Sequence, residues 1–105
     1  MSTSAKGYVI VQVSEIHDPA TYATYRPLAG ATVAAHGGRF IVRGGAAERM
    51  EGEGPAGRNV VIEFPSVAAA KWWYHSPEYQ ETLKIRQAAS TSSLVIVKGD
   101  EQTVI

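Results

Sequence analysis

Arg86 is the side chain whose position in the sequence most directly indicates chemistry. It follows Tyr79 and Leu83 at spacings of four and three residues, so these three side chains share one face of a helix. Because an unpaired buried charge is costly, an arginine on an apolar face needs a partner. That partner is either a carboxylate of this chain, which is the commoner arrangement, or the carboxylate of a bound ligand. The candidate carboxylates of the chain are Glu63, Glu78 and Glu81.

Two further arginines, Arg39 and Arg43, alternate with Phe40 and Val42. Side chains of a strand point alternately to its two faces, so both arginines are predicted to share a face with Ile41. The same two roles, ion pairing within the chain or ligand binding, apply to them.

Large aromatic side chains cluster around a predicted break between two helices. Helical spacing places Trp73 on the face of Val67 and Ala70, which predicts a position in the core. Trp72 is offset by about 100° and is free to contact solvent, a ligand or a partner chain.

The chain has three histidines, His17, His36 and His75, and no cysteine. The histidines are not spaced as metal ligands, and the lack of cysteine excludes disulfides, thiol nucleophiles, zinc–thiolate sites and iron–sulfur clusters. His36 falls at a predicted helix C-terminus, where an imidazolium interacts favourably with the helix dipole. We therefore expect no metal site and no cofactor.

Two apparent motifs have structural explanations. Residues 52–57 read G-E-G-P-A-G, but they lead into a strand rather than a helix, and Pro55 lacks a backbone donor, so this is a surface loop and not a dinucleotide site. Ser66 and Ser76 are predicted helix caps, because the chain has no G-x-S-x-G nucleophile motif.

Polar and cationic side chains on otherwise apolar faces predict a small-molecule pocket between the helices and the sheet. Its cationic members favour an anionic or phenolic ligand. The candidate pocket residues are Tyr25, His36, Arg43, Trp73, Tyr79 and Arg86.

The elements that must position these residues follow the order β-α-β-β-α-β, with the second helix broken at Ser76-Pro77. This order predicts an α+β, ferredoxin-like antiparallel sheet with helices on one face. It forms one domain over residues 7–99, with residues 1–6 and 102–105 expected to be flexible.

Proline at 27 is expected to kink or break the first helix. The predicted strands cover 7–14, 39–43 with a possible continuation at 48–51, 59–64 and 94–98; the helices cover 19–36, 67–75 and 77–90.

Both faces of the predicted sheet are apolar. Val9, Val11 and Val13 point to one face, while Ile10 and Val95 point to the other. An antiparallel sheet with one wet face should alternate apolar and polar residues, so the second face is expected to meet another copy of the chain, sheet against sheet. The alternative is a monomer in which apolar and polar residues alternate only irregularly along the strands.

Composition excludes other classes. The 105 residues carry 10 basic and 10 acidic side chains, and this zero net charge argues against nucleic-acid and anionic-membrane binding. The predicted strand at 59–64 also lacks the stacking aromatics of RNA-recognition domains. With no signal peptide and no apolar run of about 20 residues, we expect a cytoplasmic protein.

Four segments carry a resemblance to a known family: GGRFIVRGG (37–45), VVIEFPS (60–66), WYHSPEYQ (73–80) and RQAAS (86–90). They resemble the domain of unknown function family 1330 (DUF1330) over roughly residues 7–99. The resemblance implies a dimeric α/β barrel formed sheet to sheet, in a bacterial cytoplasmic setting, and it implies no reaction. The recurrent positions of the family fall on Tyr25, Gly38, Arg39, Arg43, Pro65, Tyr74, Ser76, Pro77, Tyr79 and Arg86.

Three functions remain open at this point. The first is a homodimer that binds or transforms a small anionic or aromatic molecule. The second is a structural or regulatory dimer without catalytic activity. The third is a cofactor-free monooxygenase-like enzyme, by analogy with relatives of the fold, for which Asn59, Trp72, Trp73, Tyr74 and His36 are available.

Overall fold

A computed structural model describes residues 5–53 and 57–100. The residues expected to be flexible at 1–4 and 102–105, together with Pro55 of the predicted loop, lie outside this described part. The elements are β1 (Gly7–Ile16), α1 (Pro19–Ala35), β2 (Arg39–Arg43), β3 (Arg58–Phe64), α2 (Val67–His75), α3 (Pro77–Ala89) and β4 (Ser90–Lys98).

The four strands form one antiparallel sheet in the order β2-β3-β1-β4. Val9, Val11 and Val13 of β1 are buried beneath the helices, and Ile62 and Phe64 of β3 join them because alternate side chains of a strand share a face. The predicted α+β, ferredoxin-like fold is confirmed.

Helix α1 begins and ends where the sequence predicts. The Asp18 side chain accepts a hydrogen bond from the Thr21 amide, and Gly37 ends the helix with a φ of +77°, a conformation that glycine adopts without steric cost. The helix continues through Pro27 without a break. Pro27 and Ala23, four residues earlier, are both exposed, so the carbonyl that loses its partner lies on the solvent side.

Ser76 separates α2 from α3, as predicted. Its hydroxyl donates to the Trp73 carbonyl at 2.7 Å and accepts from the Tyr79 amide at 3.2 Å, so one side chain ends α2 and caps α3. The break places the Trp73 and Tyr79 rings together, with centroids 4.0 Å apart.

Strand β2 contains a bulge that corrects the sequence-based assignment of its faces. The pairing with β3 shifts between Phe40 and Val42, so Arg39 lies opposite Glu63 while Arg43 lies opposite Val60. One extra residue reverses the alternation of everything that follows it. Arg39 therefore lies on the outer face and Arg43 on the helix-covered face, and the prediction that they share a face was wrong.

Several strand boundaries also differ from the predictions. Strand β1 ends at Ile16 rather than 14, and β3 starts at Arg58 rather than 59. Strand β4 starts at Ser90 rather than 94, because its polar first residues pair with the end of β1. Residues 48–51 do not continue β2.

The outer face of the sheet carries a row of four aliphatic side chains, one from each strand. Val42 lies opposite Val61, Val61 opposite Ile10, and Ile10 opposite Val95. We call Val42, Val61, Ile10 and Val95 the aliphatic row. A polar row formed by Asn59, Gln12 and Ser93 lies on one side of it, and Glu63, Tyr8 and Val97 lie on the other.

Candidate functional site

A cleft opens between α1 and the half of the sheet formed by β2 and β3. Helix α1 packs chiefly on α3, which leaves space between α1 and these strands. The enclosed interior of the cleft has a volume of only about 30 Å³, and the figure rises to about 420 Å³ when the open solvent at its mouth is included. It is lined by Val11, Tyr22, Tyr25, Arg26, Ala29, Phe40, Arg43, Arg58, Val60, Ile62 and Trp73.

Simple periodicities bring these side chains together. Tyr22, Tyr25 and Ala29 are spaced three and four residues apart, so they form one face of α1. Val60 and Ile62 alternate along β3 on the face beneath that helix. The β2 bulge adds Arg43 to the same face.

The cationic side of the cleft consists of Arg26, Arg43 and Arg58. The Arg43 guanidinium lies over the Phe40 ring, 4.1 Å from its centroid, which is a cation–π contact. The Nε of Arg58 is buried and has no hydrogen-bond partner.

No acidic residue in the described part of the chain faces these three guanidiniums. Within residues 5–53 and 57–100, no carboxylate lines the cleft, and none lies within ion-pair distance of Arg26, Arg43 or Arg58. The cleft is therefore a positively charged opening with aromatic and aliphatic walls.

Trp73 forms part of the inner wall and is held in place by the helices. Its indole N–H donates to the Thr32 hydroxyl at 2.9 Å, and that hydroxyl donates to the Ala29 carbonyl at 2.8 Å. The Trp73 ring also packs 5.4 Å from the Phe64 ring. These contacts fix the orientation of the indole beside the cleft.

A buried polar cluster lies behind Tyr25. The hydroxyls of Tyr25 and Tyr79 are 2.8 Å apart, and both interact with the guanidinium of Arg86. Arg86 also donates from Nη1 to the Ser92 hydroxyl at 2.5 Å, while its Nε is buried without a partner. Only 3% of the Arg86 surface is exposed.

The cluster perturbs the ionisation of its members. Burial raises the pKa of Tyr25, the neighbouring Tyr79 raises it further, and Arg86 opposes this effect. Burial lowers the pKa of Arg86, but the two tyrosine hydroxyls outweigh it and raise that pKa above its usual value. Both shifts favour the neutral hydroxyl of Tyr25 and the cationic form of Arg86.

The expected carboxylate partner of Arg86 is not found. Glu63 accepts from Arg39 at 3.0 Å and from Tyr8 at 3.2 Å on the outer face, and Glu81 pairs with Lys84. In the described part of the chain, no carboxylate, including Glu78, pairs with Arg86. None of the three candidate ion pairs forms, because the hydroxyls of Tyr25, Tyr79 and Ser92 occupy the space around the guanidinium.

The structure divides the six predicted pocket residues into three groups. Tyr25, Arg43 and Trp73 line the cleft, and Tyr79 and Arg86 lie directly behind Tyr25. The sixth, His36, is not part of the lining; its Nδ1 lies 2.8 Å from the Thr32 carbonyl at the end of α1.

The sequence-based prediction missed eight of the eleven lining residues, and four of these carry the aromatic and cationic side chains: Tyr22, Arg26, Phe40 and Arg58. Signals for two of them were present. Tyr22 precedes Tyr25 by three residues, and Arg58 precedes Val60 and Ile62 in the alternation of β3. Trp72, which was left open between ligand, partner and solvent, is 76% exposed and lies outside the cleft.

The described residues lack two other kinds of feature. They contain no group of three or more histidine, aspartate or glutamate side chains that could hold a metal ion. Among the same residues, no helix is long and apolar enough to cross a membrane.

The fold is shared with solved structures of ferredoxin-like proteins. RPA0582, a protein of unknown function from Rhodopseudomonas palustris, is 24% identical, with a TM-score of 0.74 over 95% of this chain and 86% of its own. SnoaB, a cofactor-independent oxygenase from Streptomyces nogalater, is 16% identical, with a TM-score of 0.65 over 96% of this chain and 98% of its own. A putative antibiotic biosynthesis monooxygenase from Caulobacter crescentus is 14% identical, with a TM-score of 0.59 over 95% and 94%.

Residues 6–100 match the family described as Domain of unknown function (DUF1330). The chain belongs to this family, as the sequence segments predicted. No curated protein matches the chain.

Proposed function

We propose that this protein binds a small aromatic molecule carrying an anionic group in the cleft between α1 and the sheet, and that it does so as a homodimer. The observation that carries the binding proposal is the set of three arginines, without a described carboxylate partner, around an aromatic-lined opening.

Electrostatics support an anionic ligand. Guanidiniums form strong paired hydrogen bonds with carboxylates and other oxyanions. Positive charge at one opening raises the local concentration of anions. The apolar walls lower the local dielectric constant and so strengthen the attraction. The buried Nε of Arg58 is a donor that the described residues leave unused.

The walls support an aromatic ligand. Phe40, Tyr22 and Trp73 offer ring faces or edges, and offset or edge-to-face ring contacts contribute about 0.5–1.5 kcal/mol each beyond surface burial. The Arg43 guanidinium lies over the Phe40 ring. A ligand whose ring packs beside Phe40 therefore places its anionic group near that cation.

The test compares 2-naphthoate with 2-naphthamide, which has nearly the same shape and no charge. Isothermal titration calorimetry on the wild-type protein should show that 2-naphthoate binds roughly 10- to 100-fold more tightly, since hydrogen bonds to charged groups contribute about 1.5–3 kcal/mol. Equal affinities for the two compounds would reject the cationic cleft as the basis of binding.

Substitutions locate the site. Arg43→Gln and Arg58→Gln should each weaken 2-naphthoate binding and leave 2-naphthamide binding nearly unchanged. Arg39→Gln is the matched control, because Arg39 lies in the same strand as Arg43 but pairs with Glu63 on the outer face. A control variant that loses as much affinity as Arg43→Gln contradicts the assignment, and a protein that binds neither compound favours a structural dimer.

The outer face of the sheet supports the homodimer. Val95 is 52% exposed, and Val42 at the other end of the aliphatic row and Val97 on the same strand as Val95 are also exposed. An aliphatic row that crosses all four strands is suited to packing against its own copy around a two-fold axis. The cleft lies on the opposite face, so each protomer keeps its own opening.

A further inference from the structure

The cluster behind the cleft contains more hydrogen-bond donors than acceptors. Arg86 supplies five N–H donors and no acceptor. Tyr25 and Tyr79 each supply one O–H, and each oxygen accepts. The Ser92 hydroxyl accepts from Arg86, and the Ser90 hydroxyl donates to the Arg86 carbonyl at 2.7 Å.

This imbalance favours one direction for the hydrogen bond between the tyrosines. Their hydroxyls are 2.8 Å apart, so one of them donates to the other. The hydroxyl that accepts keeps a hydrogen with no acceptor inside the cluster. Tyr79 is completely buried, whereas Tyr25 lines the cleft. If Tyr25 donated to Tyr79, the Tyr79 hydrogen would be left buried and unsatisfied, which costs free energy.

The favoured arrangement therefore starts at Arg86: Arg86 donates to the hydroxyl oxygens, Tyr79 donates to Tyr25, and the Tyr25 O–H has no acceptor among the described members of the cluster, on a residue that lines the cleft. Burial keeps Tyr25 protonated, since it raises the pKa of that hydroxyl. The positive charge of Arg86 polarises both hydroxyls and strengthens the outermost donor.

We propose that Arg86 and Tyr79 are positioning residues that hold the Tyr25 hydroxyl as a hydrogen-bond donor to the cleft, and that the ligand places a phenolate or enolate oxygen against it. This rests on the proposed binding of an aromatic anion. It adds that the cleft recognises the ionised oxygen of a hydroxylated ring.

A phenol bound there becomes a stronger acid. A donor aimed at the oxygen stabilises the phenolate over the phenol, and a hydrogen bond to a charged oxygen corresponds to about 1–2 pKa units. The three arginines at the opening also lower the pKa of the bound phenol. The contribution of the hydrogen-bonded series Arg86–Tyr79–Tyr25 is therefore isolated by removing one of its hydroxyls.

The probe is 4-nitrophenol, which ionises near neutral pH and has separate absorption bands for its two forms. Titration at saturating wild-type protein should give a lowered pKa for the bound phenol. Tyr25→Phe should recover about 1 unit or more of that lowering, because it removes the donor itself. Tyr79→Phe should recover a smaller part, because Tyr25 keeps its O–H and loses only the polarising hydrogen bond. Tyr74→Phe is the matched control: its ring packs 5.8 Å from Tyr79, but it does not line the cleft, and it should keep the wild-type value.

Arg86→Lys and Arg86→Met test the charge. The lysine variant should retain part of the lowering of the pKa of bound 4-nitrophenol, and the methionine variant should lose the part that depends on the charge of Arg86. If either variant fails to fold, judged by circular dichroism, the comparison of Tyr25→Phe and Tyr79→Phe with Tyr74→Phe decides the question alone.

The outcomes separate this inference from the proposed function. If the pKa of bound 4-nitrophenol is unchanged in the wild type, or is lowered equally in Tyr25→Phe, the role of the Tyr25 hydroxyl is overturned; an equal lowering in Tyr79→Phe overturns the positioning role of Tyr79. A preference for 2-naphthoate over 2-naphthamide would still uphold the cationic cleft. Failure of 4-nitrophenol to bind when 2-naphthoate binds also overturns the inference. If neither compound binds, both proposals fall.

Discussion

Substitution of Val95 by aspartate is predicted to dissociate the homodimer. Val95 ends the aliphatic row on β4, lies opposite Ile10 and is 52% exposed in one protomer. In a sheet-to-sheet dimer this exposed half is buried, and a two-fold axis places the same change on both protomers.

The magnitude follows from that exposure. Burying a whole valine side chain contributes about 1.5–3 kcal/mol, so the exposed half of Val95 contributes about 1 kcal/mol per protomer. Dehydrating an unpaired carboxylate costs at least about 1 kcal/mol more per protomer. Both protomers together lose about 4 kcal/mol, which weakens dimerisation roughly a thousandfold.

Sedimentation velocity at tens of micromolar protein measures the effect. The wild type should sediment at twice the 11.3 kDa of one chain, and Val95→Asp at 11.3 kDa with an unchanged circular dichroism spectrum. Leu28→Asp is the control, because Leu28 is 48% exposed but lies on α1, away from the outer face. A monomeric wild type, or equal dissociation by the control, would refute the interface.

Three other substitutions test the packing, the helix break and the surface charges. Gly38→Ala should destabilise the protein by about 1–3 kcal/mol in urea unfolding, because an added Cβ would lie 2.6 Å from the Phe64 ring. Ser76→Ala should cost about 0.5–2 kcal/mol, since it removes the cap of α3. The hydrogen bond from Arg39 lowers the pKa of Glu63 below its usual 4.5, so this carboxylate stabilises the fold above pH 4.5 and loses that effect as the pH falls. The stability of Glu63→Gln should therefore decline less below pH 4.5 than that of the wild type, as measured by urea unfolding across that range.

Each of these three substitutions has its own control or contrary result. Gly45→Ala should have little effect, because nothing lies within 4 Å of its added Cβ. A Gly38→Ala variant as stable as the wild type would show that Phe64 moves freely. An unchanged stability of Ser76→Ala would contradict the capping role, and parallel pH curves for Glu63→Gln and the wild type would contradict the ion pair with Arg39.

Local patterns predicted most of the fold. Alternation along β1 and β3, the proline and aspartate at the start of α1, and the serine at 76 each determine an element through interactions within a few residues. The bulge in β2 escaped prediction because a register shift depends on the partner strand and leaves no local signature. The early start of β4 was missed for the same reason, since its polar residues are ordered by β1.

The candidate site was predictable where a single periodicity determines the face of a side chain. Helical spacing correctly placed Tyr25 and Trp73 on buried faces and Arg86 among apolar residues. It could not identify the partners of Arg86, because Tyr25 is 61 positions away in sequence and only the packing of α1 on α3 brings the two together. The same limit applies to the absence of a carboxylate around the described arginines of the cleft, which is a property of the assembled fold.

A crystal structure of the protein with 2-naphthoate tests the central claim most directly. The account predicts the carboxylate within hydrogen-bond distance of Arg43 or Arg58, with the rings against Phe40 and Trp73. Density for the ligand elsewhere on the surface, with the cleft empty or filled by the protein's own side chains, would contradict it.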